Sequence, residues 1–210
     1  MGLNSTRCQN WKLYVIADRE AMRGKPAREI VQAALRAGAS VIQLRDKKGS
    51  EEEIARIGRE LLPLTRAANV PLIINDWISV AKAIGADGVH LGQEDASLAE
   101  ARRVLGIKAL VGRSTHSPEQ ALKAQDEGFD YVGVGPVFKT PTKASYVPVG
   151  LELVSFASKK IHIPFVAIGG IDADNIHHVL RAGAKTVAVV RAVAGADKPE
   201  EAVTHLLKAF

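Results

Sequence analysis

The sequence predicts one α/β domain, a (β/α)8 TIM barrel. Three observations predict it: eight short apolar runs rich in β-branched residues, helix-compatible stretches between them, and a glycine recurring between a helix end and the next run. Continuous apolar strands bounded by helices imply a parallel sheet covered by helices. Eight regularly spaced units favour closure into a barrel over an open sheet.

The first strand is KLYVIAD (12–18), and Pro26–Ala37 follows as a helix. SVIQLRD (40–46) leads into the helical stretch Glu51–Ala68, and VPLIIND (70–76) and DGVHLG (87–92) supply the third and fourth strands. ALVGRS (109–114) precedes a helix over Pro118–Glu127, and DYVGVG (130–135) is the sixth strand. IPFVAIGG (163–170), a helix over Ala173–Ala182 and KTVAVVR (185–191) complete the set. The segments ALRAGASVIQL, AKAIGADGVHL, AQDEGFDYVGV and VLRAGAKTVAV share one pattern: a helix end, a glycine, then an apolar strand. Gly38, Gly85, Gly128 and Gly183 are therefore expected just past helix ends in the left-handed conformation, with no functional role.

The 210 residues make one domain, and an apolar content of 47% supplies a core without disulfides. The leader MGLNSTRCQN (1–10) has no apolar h-region and reads as flexible and frayed, which leaves residues 11–210 for the catalytic barrel. Its Cys8 is the only cysteine, which fits a reducing cytoplasm. No apolar run approaches the roughly 18 residues that span a bilayer. The 28 basic and 23 acidic residues give a net charge of +5, but the cations are dispersed and aromatics are only 5%. That pattern excludes a nucleic-acid stripe and suits attraction of anionic metabolites.

Polar residues at the strand ends carry the chemistry, because a barrel of this kind builds its site at the C-terminal face. In the second strand, Gln43, Arg45 and Lys47 share one parity and present an amide and two cations suited to a phosphate or diphosphate. Lys48 reads as a solvated loop residue. Asp76 and Asp95 lie just past neighbouring strands and are candidates to share one Mg²⁺, although either alone reads more often as a helix N-cap. His90 has no second histidine or cysteine at ligand spacing and reads as a hydrogen-bonding group of the mouth. Ser114 and His116 are candidates, whereas Ser117 before Pro118 reads as a helix start. The longest loop, 135–150, offers Thr140, Thr142 and Lys143 to an anion. Gly170 after the seventh strand and Val190-Arg191 after the eighth occupy the usual phosphate corner of such barrels.

Taken together, QLRDK (43–47), IND (74–76), DGVHLGQED (87–95), STHS (114–117), GPVFKTPTK (135–143) and AIGGI (167–171) resemble the thiamine-phosphate synthase (thiamine-phosphate pyrophosphorylase) family. The resemblance runs over nearly the whole chain. It implies condensation of 4-amino-2-methyl-5-(diphosphomethyl)pyrimidine with 4-methyl-5-(2-phosphoethyl)thiazole, or its carboxylated form, to give thiamine phosphate and pyrophosphate. It implies that the run Gln43, Leu44, Arg45, Asp46 and Lys47, with Asn75, Ser114 and Lys143, holds the pyrimidine diphosphate. Arg45, Lys47, Ser114 and Lys143 would assist catalysis, and Asp76 and Asp95 would bind one Mg²⁺. Thr140, Pro141, Thr142, Gly170, Val190 and Arg191 would receive the thiazole phosphate. Arg191 departs from the family pattern, where serine is frequent. Its backbone N–H remains suited to the role.

The nearest rival is a thiazole tautomerase paralogue with His116 as acid/base. It has little use for a diphosphate clamp. A sugar-phosphate epimerase or tryptophan-pathway barrel needs an inward carboxylate or lysine, of which this chain has few. A non-catalytic sensor of thiamine phosphate would bind without metal. A homodimer is the base-rate expectation for assembly.

Overall fold

The computed structural model describes residues 2–140 and 147–210. Eight parallel strands close in sequence order: β1 (Leu13–Asp18), β2 (Val41–Arg45), β3 (Leu72–Asn75), β4 (Gly88–Leu91), β5 (Leu110–Thr115), β6 (Tyr131–Val134), β7 (Phe165–Ile168) and β8 (Thr186–Val189). β1 pairs with β8 through Leu13–Val187, which closes the barrel. The helices are α1 (Arg19–Met22), α2 (Ala27–Arg36), α3 (Glu51–Ala67), α4 (Ile78–Ile84), α5 (Leu98–Leu105), α6 (Pro118–Glu127), α7 (Gly150–Lys160), α8 (Ile176–Arg181), α9 (Arg191–Ala194) and α10 (Pro199–Leu207). Among the described residues no helix is long and apolar enough to cross a membrane.

Local sequence accounts for the helix boundaries. Ser50 begins α3 with a reciprocal capping box: its hydroxyl accepts from the Glu53 amide, and the Glu53 carboxylate accepts from the Ser50 amide. Ser97 and Ser117 cap α5 and α6 through the amides of Glu100 and Gln120. Gly85 and Gly128 end α4 and α6 at φ +69° and +92°, a region that glycine enters without a Cβ clash.

Strand parity sorts side chains into two layers. Val15, Ile42, Leu44, Ile74, Val89, Val111, Val132, Ala167 and Val187 face outward and join the helices in the larger apolar core. Tyr14, Ile16, Val41, Ile73, Leu110, Tyr131, Val166 and Ala188 fill the barrel interior. Trp11 closes the N-terminal end, with its ring edge-on to Tyr14 at 5.8 Å and to Tyr131 at 5.2 Å.

The expectation of a frayed leader is corrected here. Residues 5–8 form a 3-10 turn, and Ser5 and Cys8 are buried. The Asn4 amide donates to Asp130 at 2.8 Å, its side chain donates to the Ile107 carbonyl at 2.8 Å, and Arg7 donates to the Lys108 carbonyl at 2.8 Å. Asp130 is fully buried and also accepts from the Val111 amide at 2.8 Å and Arg102 at 2.7 Å. A segment with no amphipathic pattern is thus held by backbone and side-chain hydrogen bonds to a buried carboxylate.

Candidate active site

The strands place their C-terminal inward positions around one cavity of about 470 Å³. Tyr14, Gln43, Arg45, Asn75, His90, Ser114, Tyr131 and Gly133 line its floor and one wall, while Gly169, Gly170, Val190 and Arg191 line the other side with Lys139 and Thr140. Register explains the gathering. Gln43 lies beside Ile16, Arg45 beside Asp18, Asn75 beside His90, and Ser114 beside Gly133. The volume lies within the roughly 300–1,000 Å³ of small-molecule sites.

Lys47, Asp76 and Asp95 meet at the rim beyond β2, β3 and β4. Lys47 Nζ donates to Asp76 Oδ2, and the Asp76 and Asp95 carboxyls are hydrogen-bonded to one another. β3 ends at Asn75, and Asp76 takes a left-handed backbone at φ +64°, a conformation aspartate tolerates better than most residues. Neither aspartate caps a helix through its side chain: Trp77 occupies the cap position of α4, and Ser97 caps α5. Asp95 instead accepts the Gly92 amide at 2.6 Å. Desolvation pushes the Asp76 carboxyl above its ordinary range, reinforced by Asp95 and opposed by Lys47. Desolvation also pushes Asp95 upward, but the hydrogen bonds from Asp76 and Gly92 and the charges of Lys47 and Arg113 outweigh it and lower the group.

Three residues absent from the sequence reading support the site. Asp18 pairs with Arg45 through one oxygen and caps α1 with the other, accepting from the Ala21 amide at 3.0 Å. Arg113 donates to the carbonyls of Gln93 at 3.0 Å and Ala96 at 3.1 Å, so it clamps the loop that carries Asp95. Tyr131 connects His90 to Tyr14 inside the barrel. Asp18 had a legible signal, since it ends the first strand on the parity of Tyr14 and Ile16. The clamp of Arg113 had none, because its targets are backbone carbonyls.

Two expected diphosphate residues turn away. Leu44 faces the helices in the outer core. Asp46 is buried in the turn after β2, where it accepts from the amides of Lys48 at 2.9 Å and Gly49 at 2.8 Å and from Arg19 at 3.0 Å. Their parity is opposite to that of Gln43 and Arg45, so their side chains do not reach the cavity. Pro141, Thr142 and Lys143 lie outside the described residues. His116 lines the cavity, with Nδ1 at the Gly135 carbonyl and its amide donating to Gln120 at 2.7 Å.

A family model described as thiamine monophosphate synthase matches residues 13–193. The chain belongs to the thiamine-phosphate synthase family. Members include a thiamine-phosphate synthase from Chloroflexus aurantiacus, 46% identical over 198 residues that cover 94% of this chain and 91% of that protein. Another, from Natronomonas pharaonis, is 41% identical over 204 residues, or 96% of this chain and 95% of that one. A solved thiamine phosphate pyrophosphorylase from Pyrococcus furiosus superposes with a TM-score of 0.87 at 40% identity, covering 97% of this chain and 96% of that structure.

Proposed function

We propose that this chain is a thiamine-phosphate synthase, a transferase that joins the pyrimidine diphosphate to the thiazole phosphate and releases pyrophosphate. One observation carries the reading. Gln43, Arg45, Asn75 and Ser114 share a single cavity with Gly170, Val190 and Arg191, and the Lys47–Asp76–Asp95 cluster stands at its rim. One side suits a diphosphate and the other suits a phosphate.

Two carboxylates pressed together beside one lysine suit a hard divalent cation. Mg²⁺ takes one or two protein carboxylates and completes its shell with water and substrate oxygens. Among the described residues no group of three or more His, Cys, Asp or Glu side chains gathers as a metal site. Asp76 and Asp95 would hold the ion, and bound Mg²⁺ would neutralise charge on the diphosphate.

The substrate C–O bond to the diphosphate breaks, and its electron pair leaves with the diphosphate. The electron-rich aminopyrimidine stabilises the methylene cation that remains. The thiazole nitrogen then uses its lone pair to form the new C–N bond, with no proton to lose. Negative charge grows on the leaving group, so Arg45 and Lys47 accelerate the step by binding it more tightly as it departs. Asp18 aims the Arg45 guanidinium. Gly170 and the backbone at Val190 and Arg191 receive the thiazole phosphate close to the main chain. By resemblance to the family, Lys143 would contact the diphosphate, and Thr140 and Thr142 would contact the thiazole phosphate.

Cytoplasmic location and a homodimer complete the proposal. The test is direct: purified protein is incubated with both substrates and Mg²⁺, and thiamine phosphate and pyrophosphate are quantified. Equimolar formation of both, abolished by omitting either substrate, is expected. Pyrophosphate-independent conversion of the thiazole phosphate alone would instead favour the tautomerase reading.

A further inference from the structure

Five side chains from five strands form one hydrogen-bonded line through the barrel. Gln43 Nε2 donates to the Tyr14 hydroxyl at 2.8 Å, and the Tyr14 and Tyr131 hydroxyls meet at 3.1 Å. Tyr131 Oη lies 3.2 Å from His90 Nδ1, and His90 Nε2 lies 2.9 Å from Ser114 Oγ. Gln43 and both tyrosines are at most 2% exposed, so bulk water does not replace these contacts. Two glycines make the room. A Cβ on Gly112 would sit 2.2 Å from the Tyr131 ring, and one on Gly133 would sit 3.2 Å from the His90 ring. A side chain at Gly112 would collide with the Tyr131 ring, and one at Gly133 would press on the His90 ring.

The line has a direction. An amide nitrogen only donates, so the Tyr14 oxygen accepts from Gln43. Each hydroxyl carries one proton. Tyr14 passes its proton's bond to Tyr131, and Tyr131 donates to His90 Nδ1. His90 then carries its proton on Nε2 and donates to Ser114. The Ser114 oxygen is occupied as an acceptor, and its own proton is left to point into the cavity that it lines. The reverse polarity would make Tyr14 accept twice and strand a buried hydroxyl proton, whereas among the described residues every buried side-chain polar atom has a partner. Burial pushes both phenols above their ordinary range, so they remain protonated links.

We infer that Gln43, Tyr14, Tyr131 and His90 form a polarised relay whose task is to present Ser114 as a hydrogen-bond donor to anionic substrate. No proton is transferred; the relay sets orientation. Tyr14, Tyr131 and His90 are positioning residues that act through Ser114, and the inference rests on the reading that Ser114 faces the diphosphate.

The experiment is nuclear magnetic resonance of the full-length, substrate-free protein labelled with ¹⁵N-histidine, with the His90 signal assigned by its loss in His90→Gln. Wild type is expected to show a protonated Nε2 and an unprotonated, hydrogen-bonded Nδ1. Tyr131→Phe is expected to abolish this tautomer bias and lower turnover roughly 10- to 100-fold, the range for residues that orient a direct contact. Ser114→Ala added to Tyr131→Phe is expected to cost little more. Tyr14→Phe, which leaves Tyr131 free to turn either way, is expected to give a mixed tautomer and serves if Tyr131→Phe does not fold. A wild-type His90 protonated at Nδ1, or a folded Tyr131→Phe with wild-type turnover, overturns the relay. The tautomer is read without substrate, whereas failure of the proposed activity shows as wild-type protein that forms no thiamine phosphate.

Discussion

Asp18 holds Arg45 by one carboxylate oxygen and the start of α1 by the other, so a single buried side chain ties the anion-binding guanidinium to the wall of the barrel. Asp18 is 3% exposed. Removing one partner of such a pair leaves a charge without its counter-ion, at a cost of about 3 kcal/mol. Asp18→Ala is expected to lose about that much stability in urea denaturation and to lower turnover at least about tenfold. Asp18→Asn keeps an acceptor for the Ala21 amide and should recover part of the stability but little of the turnover. Equal stability of Asp18→Ala and wild type would remove this role.

The rim cluster makes a metal prediction. Asp76→Asn preserves the shape and a hydrogen bond to Asp95 while it removes one of two opposed carboxylates. The half-saturating Mg²⁺ concentration for pyrophosphate release should rise at least about tenfold, in the range for altered metal shells. Melting temperature without Mg²⁺ should hold or rise, because burial and Asp95 already disfavour the charged form of Asp76. A steep stability loss with unaltered Mg²⁺ dependence would argue against the assignment.

Acid stability reports on Asp46. Desolvation raises its carboxyl, but the amides of Lys48 and Gly49 and the Arg19 guanidinium outweigh it, and the folded value lies below the ordinary 3.8. The sign follows from linkage: a depressed folded value gives stability that is complete above pH about 4 and is lost as pH falls through the folded value. Asp46→Asn should therefore flatten the acid limb of a stability curve measured by urea midpoints between pH 7 and pH 3. An unchanged acid limb would show that the turn does not depend on the ionised carboxylate.

Cys8 reports on the N-terminal segment. Burial raises its thiol above the ordinary range, assisted by Asp130, so little thiolate forms at neutral pH. A thiol reagent should label native protein only as fast as it opens, and Asn4→Ala, which removes the side-chain bonds to Ile107 and Ala109, should accelerate labelling. Rapid stoichiometric labelling of native wild type would contradict the buried placement.

Much of the fold was legible because a parallel barrel writes itself as separate local signals. Every strand expected from β-branched runs is present, and the helix over 118–127 has the expected bounds. Gly38 and Gly183 take φ +98° and +105°, as the recurring helix-end pattern required. Alternation also placed Gln43 and Arg45 inside, and the same rule places Leu44 and Asp46 outside. The contiguous QLRDK motif includes both parities, and in the folded chain the Leu44 and Asp46 side chains point away from the cavity. Asp76 escaped the rule because the strand ends before it and its backbone turns left-handed.

The sequence by itself determined the barrel, the face that bears the site and the residue types at each strand end, because periodicity and end position are properties of neighbours along the chain. Only the tertiary structure decided that Asp18 meets Arg45, that Asp130 receives the N-terminal segment, and that Gln43 reaches Ser114 through Tyr14, Tyr131 and His90. Those contacts depend on strand register and on space cleared by Gly112 and Gly133, and both arise only when the sheet closes.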